Sequence, residues 1–238
     1  MIVMLLHLQV EFVFMDKILS NISLTITDCS FLRNPDSSDL GRKIISGSIE
    51  LIDDYGFEDF NFKKLAQHIG STEASVYRYF ENKHKLLLYL TSWYWSWMDY
   101  RLALAVVNID DPNECLMRCL TVLTAKPVND TTFHHIDEER LNRIIISESS
   151  KSYLTKMVDE ENREGAFSAY KSLVARVSSI VKAINKDFKY ANMMVSTLIE
   201  GVHHQRYFAE HLPGLTSSVE GEDAVVEFYK QMVLKTME

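Results

Sequence analysis

The stretch Phe62-Lys63-Lys64-Leu65-Ala66-Gln67-His68-Ile69-Gly70-Ser71-Thr72-Glu73-Ala74-Ser75-Val76-Tyr77-Arg78-Tyr79-Phe80-Glu81-Asn82-Lys83-His84-Lys85-Leu86 decides the fold. Leu65, Ala66 and Ile69 share one apolar face at helical spacing, and Gly70 interrupts the pattern where a turn needs positive φ. Ser71 and Thr72 are good N-caps, and Glu73 suits the positive end of the next helix dipole. Val76 and Phe80 resume the apolar face one turn apart. Small Ala66 lets the second helix cross closely over the first. The spacing predicts a helix-turn-helix, whose second helix is shaped to enter a major groove.

Working outward, Ile44, Ile45, Ile49 and Ile52 supply an amphipathic helix before this unit, and Tyr55-Gly56-Phe57 a loop. After it, Val76-Tyr77-Arg78-Tyr79-Phe80-Glu81-Asn82-Lys83 leads into a long helix. On these residues Gly41–Leu90 resembles the DNA-binding domain of the tetracycline-repressor (TetR) family of bacterial transcription regulators. There are two departures: Ala74 stands where many members have glycine, and Asn61 replaces the usual threonine cap, an exchange between good N-cap residues. The resemblance implies phosphate contacts from Tyr77 and Lys83, and base-edge contacts from Thr72, Glu73 and Ser75. Lys63 and Arg78 complete the expected DNA-facing set. It also implies a homodimer held by the last two long helices. A small molecule in the body would then favour a dimer whose two reading heads no longer match successive major grooves.

The 238-residue chain carries a formal charge of −8, which argues superficially against a nucleic-acid partner. Its distribution matters more. Across Asn61–Lys85, Lys63, Lys64, Arg78, Lys83 and Lys85 outnumber Glu73 and Glu81, while Trp93–Glu238 is net acidic. A locally basic head on an acidic body is compatible with DNA binding. Cys29, Cys115 and Cys119 form neither a disulfide framework nor a CxxC pair, which suggests a reducing cytoplasm. No stretch approaches the length of a membrane span.

Leu6, Leu8, Val10, Phe12 and Phe14 alternate with His7, Gln9, Glu11 and Val13, a strand-like period of two, and Ile22, Leu24 and Ile26 alternate with Ser23, Thr25 and Thr27. A β-hairpin is one reading of this arm. The other, which we adopt as the expectation, is that Met15 begins the folded protein and only residues 22–27 are extended. Asn34-Pro35-Asp36-Ser37-Ser38 is a turn that separates the arm from the first helix.

Beyond the head, Lys83 to about Val107 reads as one long helix capped by Asn82. Tyr89, Trp93, Trp97 and Tyr100 share one stripe, and Leu88, Trp95 and Leu102 a second, so the helix sits inside its domain. Core packing explains either stripe; the functional reading is that Trp93, Trp97 and Tyr100 border a ligand pocket. Further helices are expected from Pro112 to about Ala125, over Ile136–Ser149, Tyr153–Arg163, Ala166 to about Ile184, Tyr190–His211 and Ala224–Met237. His134, His135, Glu138 and Glu139 have spacings that can clamp a metal, but no third ligand is fixed, so no metal or cofactor is expected. There is no Gly-rich phosphate loop, no G-x-S-x-G elbow and no defensible nucleophile pair, so no enzyme is expected.

The expected fold is all-α, in three parts. An extended arm over 1–38 precedes a helix-turn-helix DNA-binding domain over 39–92 and a helical ligand-binding and dimerisation domain over 93–238. The expected function is a cytoplasmic repressor that binds operator DNA and is released by a small-molecule effector. The alternative is a helical small-molecule-binding protein whose head no longer binds DNA.

Overall fold

The computed structural model describes residues 24, 26–129 and 132–237, and these build an all-helical protein. The question of Met1–Phe14 and Met15 lies outside them. The helices are α1 (Asp39–Asp59), α2 (Phe62–His68), α3 (Glu73–Tyr77), α4 (Lys83–Val106), α5 (Pro112–Thr124) and α6 (Glu138–Glu148). They continue with α7 (Ser150–Tyr153), α8 (Val158–Arg163), α9 (Ser168–Ile184), α10 (Ala191–His211) and α11 (Ala224–Met237). No helix among the described residues is long and apolar enough to cross a membrane.

Side-chain caps set most of the early boundaries. Asn61 accepts from Lys64 N–H, Thr72 from Ser75 N–H and Asn82 from Lys85 N–H, so each satisfies a donor that a helix start leaves open. Gly56 breaks α1 near its end at φ +80, a conformation that favours glycine. The segment expected as a helix over Tyr153–Arg163 is helical only over Val158–Arg163, since Tyr153 closes the preceding α7. Leu154 leaves the helix at ψ 55, and Thr155 Oγ1 accepts from Met157 N–H at 3.3 Å, a local bond that competes with helix continuation.

One apolar core runs through both parts. Ile44, Ile45, Ile49, Leu65, Val76 and Phe80 close the head, and Leu86, Leu87 and Leu90 carry that core into α4. The close approach within the head falls at Gly47. A Cβ there would come within 2.6 Å of Ile69 Cγ2, so the absent side chain is what lets α1 and α2 pack. In the body α4 is surrounded by α5, α6 and α9, while α10 and α11 meet where Gly201 faces Tyr229.

The arm joins the two parts. Thr27 is extended, and its hydroxyl donates to the Gly165 carbonyl at 3.2 Å. Leu32 N–H donates to the Tyr79 carbonyl at 2.7 Å. Asp36 receives Tyr89 O–H at 3.3 Å and lies 3.0 Å from His135 Nε2, while Arg42 donates to its carbonyl at 2.6 Å. His135 is therefore engaged by the arm, and His134 is exposed. Among the described residues no group of three or more His, Cys, Asp or Glu is placed to hold a metal.

Candidate nucleic-acid interface and interior cavity

Gly70 makes the expected turn at φ +65. Val76 then anchors α3 with no exposed surface, which turns the other side of this short helix outward. On that side Thr72 Oγ1 lies 2.8 Å from Ser75 Oγ, and Arg78 donates to Ser75 Oγ at 3.3 Å. Tyr77 is 47 % exposed and rests edge-on against Phe62, with ring centroids 5.0 Å apart. Lys63, Thr72, Glu73 and Arg78 are exposed as well, and Ser75 is half-buried between them. Six of the seven expected residues thus keep solvent access.

Lys83 departs from expectation. Its ammonium donates to the carbonyls of Phe57 at 3.0 Å, Glu58 at 3.0 Å and Phe60 at 3.3 Å, and lies 4.8 Å from the Phe57 ring centroid. Three protons meet three carbonyls that the end of α1 leaves open, so the charge braces the head from within. Lys64 likewise donates to the Asp59 carbonyl at 2.7 Å, and Lys85 pairs with Glu161 at 3.5 Å. Much of the local positive charge is therefore spent inside the fold.

The head docks on the body through charges that the sequence does not pair. Arg143 grips Asp53 with two bonds, at 2.8 and 2.6 Å. Arg140 pairs with Asp54 at 2.8 Å, and Lys151 with Glu58 at 2.8 Å. Hydrogen bonding to these carboxylates holds both arginines above their ordinary pKa. Glu148 accepts from Phe57 N–H at 3.3 Å, just past Gly56, so α6 also supports the turn that ends α1.

Beside this junction opens a cavity of about 560 Å³, walled by α1, α4, α6, α10 and the segment after α5. Its α4 wall is Tyr94, Met98 and Arg101. The expected stripe lies round the helix from it. Trp93 and Trp97 are 2 % and 0 % exposed and stack on each other, with Phe133 edge-on to Trp93. Neither they nor Tyr100 line the cavity. A helix apolar on both sides cannot declare by spacing which stripe meets open space, and the polar positions between them settle it. Tyr94 O–H donates to Asn142 Oδ1 at 2.7 Å, and burial pushes this phenol well above its ordinary range, so it stays protonated. His203, stacked on Trp95, is pushed down to about 4 by burial and by neighbouring His204, so its ring is neutral near pH 7.

A helix-turn-helix head seated on an all-helical body defines a helical protein of the DNA-binding regulator type. Residues 44–90 match the model of the family described as bacterial regulatory proteins, tetR family. No curated protein matches the chain. Among solved structures, the fatty acid degradation regulator FadR from Bacillus halodurans superposes with a TM-score of 0.56 at 17% identity, over 81% of this chain and 93% of that one. A transcriptional regulator from Rhodococcus sp. Rha1 gives 0.56 at 15%, over 86% and 97%. AibR in complex with isovaleryl coenzyme A and operator DNA gives 0.50 at 15%, over 81% and 96%. At these identities the likeness is one of fold.

Proposed function

We propose that the chain is a transcriptional repressor acting in the cytoplasm, binding operator DNA as a homodimer and released when a small molecule fills the cavity. The observation that carries this reading is the face of α2 and α3, where Lys63, Thr72, Ser75, Tyr77 and Arg78 stand outward over buried Val76. Lys63, Tyr77 and Arg78 suit phosphates, and Thr72, Glu73 and Ser75 suit base edges. Lys83 supports them by holding the end of α1. The head spans 39–92 and the sensing body 93–238.

Dimerisation is supported by apolar side chains left outward on the last two helices. Tyr190, just before α10, and Met193 on it are 61 % and 66 % exposed, and Phe228 on α11 is 57 % exposed. Release is supported by the cavity, whose wall includes Ile52, Asp53 and Gly56 of the head. A molecule there touches the helix that positions α2 and α3. AibR, of the same fold, was crystallised with an acyl coenzyme A and operator DNA together.

The test is a salt titration of binding to duplexes from the region upstream of the chain's own gene, beside scrambled duplexes. Tight, salt-dependent and sequence-selective binding is expected. Equal weak binding to both duplexes at every salt concentration would leave a ligand-binding helical protein without a DNA role.

A further inference from the structure

The lysine and arginine side chains around the cavity are ion-paired, with one exception. Arg143 is held by Asp53, and Lys126 reaches Glu210 at 3.1 Å. Arg206 is held by Asp223 at 2.8 Å and the Thr124 carbonyl at 2.6 Å, and Glu148 by Lys151 at 2.8 Å. Glu139 stands exposed at the rim. Arg101 is the exception. Its guanidinium lies 4.7 Å from the Trp97 ring centroid, and its polar contact is the Met98 sulfur at 3.9 Å, a weak acceptor. It makes no ion pair among the described residues.

A half-buried guanidinium placed over an indole is held by the ring's π face, which leaves its N–H groups without a strong acceptor. Those donors fit a planar or tetrahedral oxyanion, where charge-assisted, bidentate bonds are strongest. A second donor stands on the same cavity: Arg206 Nε is buried and has no acceptor. Ile52, Leu123, Ile144 and Val202 offer apolar wall to the rest of a ligand. Building on the reading of this cavity as the effector site, we propose that its ligand is an organic anion, with a carboxylate or phosphate seated on Arg101 and a hydrocarbon body against the apolar wall. Arg101 is one stripe with Tyr94 and Met98 on α4, the helix that runs straight from the head, so the anchor pulls on the element that carries it.

Trp93, Trp95 and Trp97 are the three tryptophans of the chain and all lie on α4, so tryptophan fluorescence reports this helix alone. The full-length protein is titrated with octanoate, octyl phosphate, 1-octanol and octyltrimethylammonium, and operator affinity is measured with each. At least one of the two anions is expected to bind about tenfold or more tighter than the alcohol, and their order tells which head group the site prefers. Arg101→Gln should erase that preference and leave the alcohol's affinity alone, while Arg101→Lys keeps part of it. Melting curves of both variants should match the parent, since Arg101 holds no ion pair. Equal binding of the alcohol, preference for the ammonium, an advantage untouched by Arg101→Gln, or no binding of any probe overturns the assignment. If the alcohol alone binds and frees the operator, the anion assignment fails and the effector reading stands. If an anion binds through Arg101 and operator affinity does not move, the anchor stands and the release reading fails.

Discussion

Asp53 on the last turns of α1 and Arg143 in the middle of α6 form a two-pronged ion pair that ties the head to the body at the edge of the cavity. Asp53 is nearly buried there, with a side chain 10 % exposed, while Arg143 is half open to solvent. The pair is therefore screened on one side, and its worth is on the order of 1 kcal/mol. Arg143→Ala should lower stability by about that amount. It should also speed hydrogen exchange of the amides from Asp53 to Phe60. Unchanged protection there would show that Arg140 and Lys151 seat the head without it.

Lys83→Ala leaves three carbonyls at the end of α1 without their donor. It should cost about 1–3 kcal/mol, read as a lowered melting temperature. Because the ammonium faces inward, the salt dependence of operator binding should keep its slope. Arg78→Ala or Lys63→Ala should instead flatten the slope by roughly two for a dimer, at about 0.9 per phosphate lost. A reversed pattern would make Lys83 a backbone contact after all.

Gly47→Ala adds a methyl 2.6 Å from Ile69 Cγ2 and 3.2 Å from Leu65 Cδ1. Alanine favours a helix by about 1 kcal/mol over glycine, but Ile69 is branched at Cβ, so its stiff χ1 keeps this methyl from swinging aside. The overpacking should outweigh the gain, giving a net loss of about 1–2 kcal/mol by chemical denaturation. Operator binding should weaken too, because α2 sets the pitch of α3. A stabilised variant would mean that α2 shifts freely.

His203 titrates in the unfolded chain near its ordinary value of 6.5, but in the fold only near about 4. Between these values the unfolded chain binds the extra proton, so this group makes stability fall as pH drops from 6.5 to 4, and adds no further loss below. The contribution by the lower limit is on the order of 1–3 kcal/mol. Denaturation of His203→Gln against the parent across this range checks it. Parallel curves would mean that the ring is charged in the fold at mild acidity.

Met193→Asp or Phe228→Asp places a charge on the outward apolar surface of α10 or α11. Each should shift the protein from dimer to monomer by light scattering at micromolar concentration, with the helical signal retained. A parent that is already monomeric would remove the basis for two reading heads.

The head was legible because its signals are local. Asn61, Thr72 and Asn82 cap the starts that sequence assigned to them, Gly70 turns where the apolar pattern breaks, and Pro112 opens α5. The long-range partners were not legible. Lys83 looks like any basic residue at a helix start until the fold brings Phe57, Glu58 and Phe60 around it. Asp53 and Arg143 are 90 residues apart, and nothing in either neighbourhood marks the pairing. The cavity was missed by one step of helix rotation, because large aromatic residues signal burial equally well whether they pack or line a void.

The arm's bonds to Tyr79 in the head, to Tyr89 on α4 and to Gly165 in the body bear on how such a molecule diversifies. A head cut out at Asp39 and transplanted to another body would leave behind Leu32 and Asp36, and with them the contacts that fix its tilt. Recombination between relatives is thus constrained to exchange the arm and the head as one cassette, with the surfaces at His135 and Gly165 co-adapting afterwards. Shuffling libraries built on this scaffold should place the crossover within α4 rather than before α1.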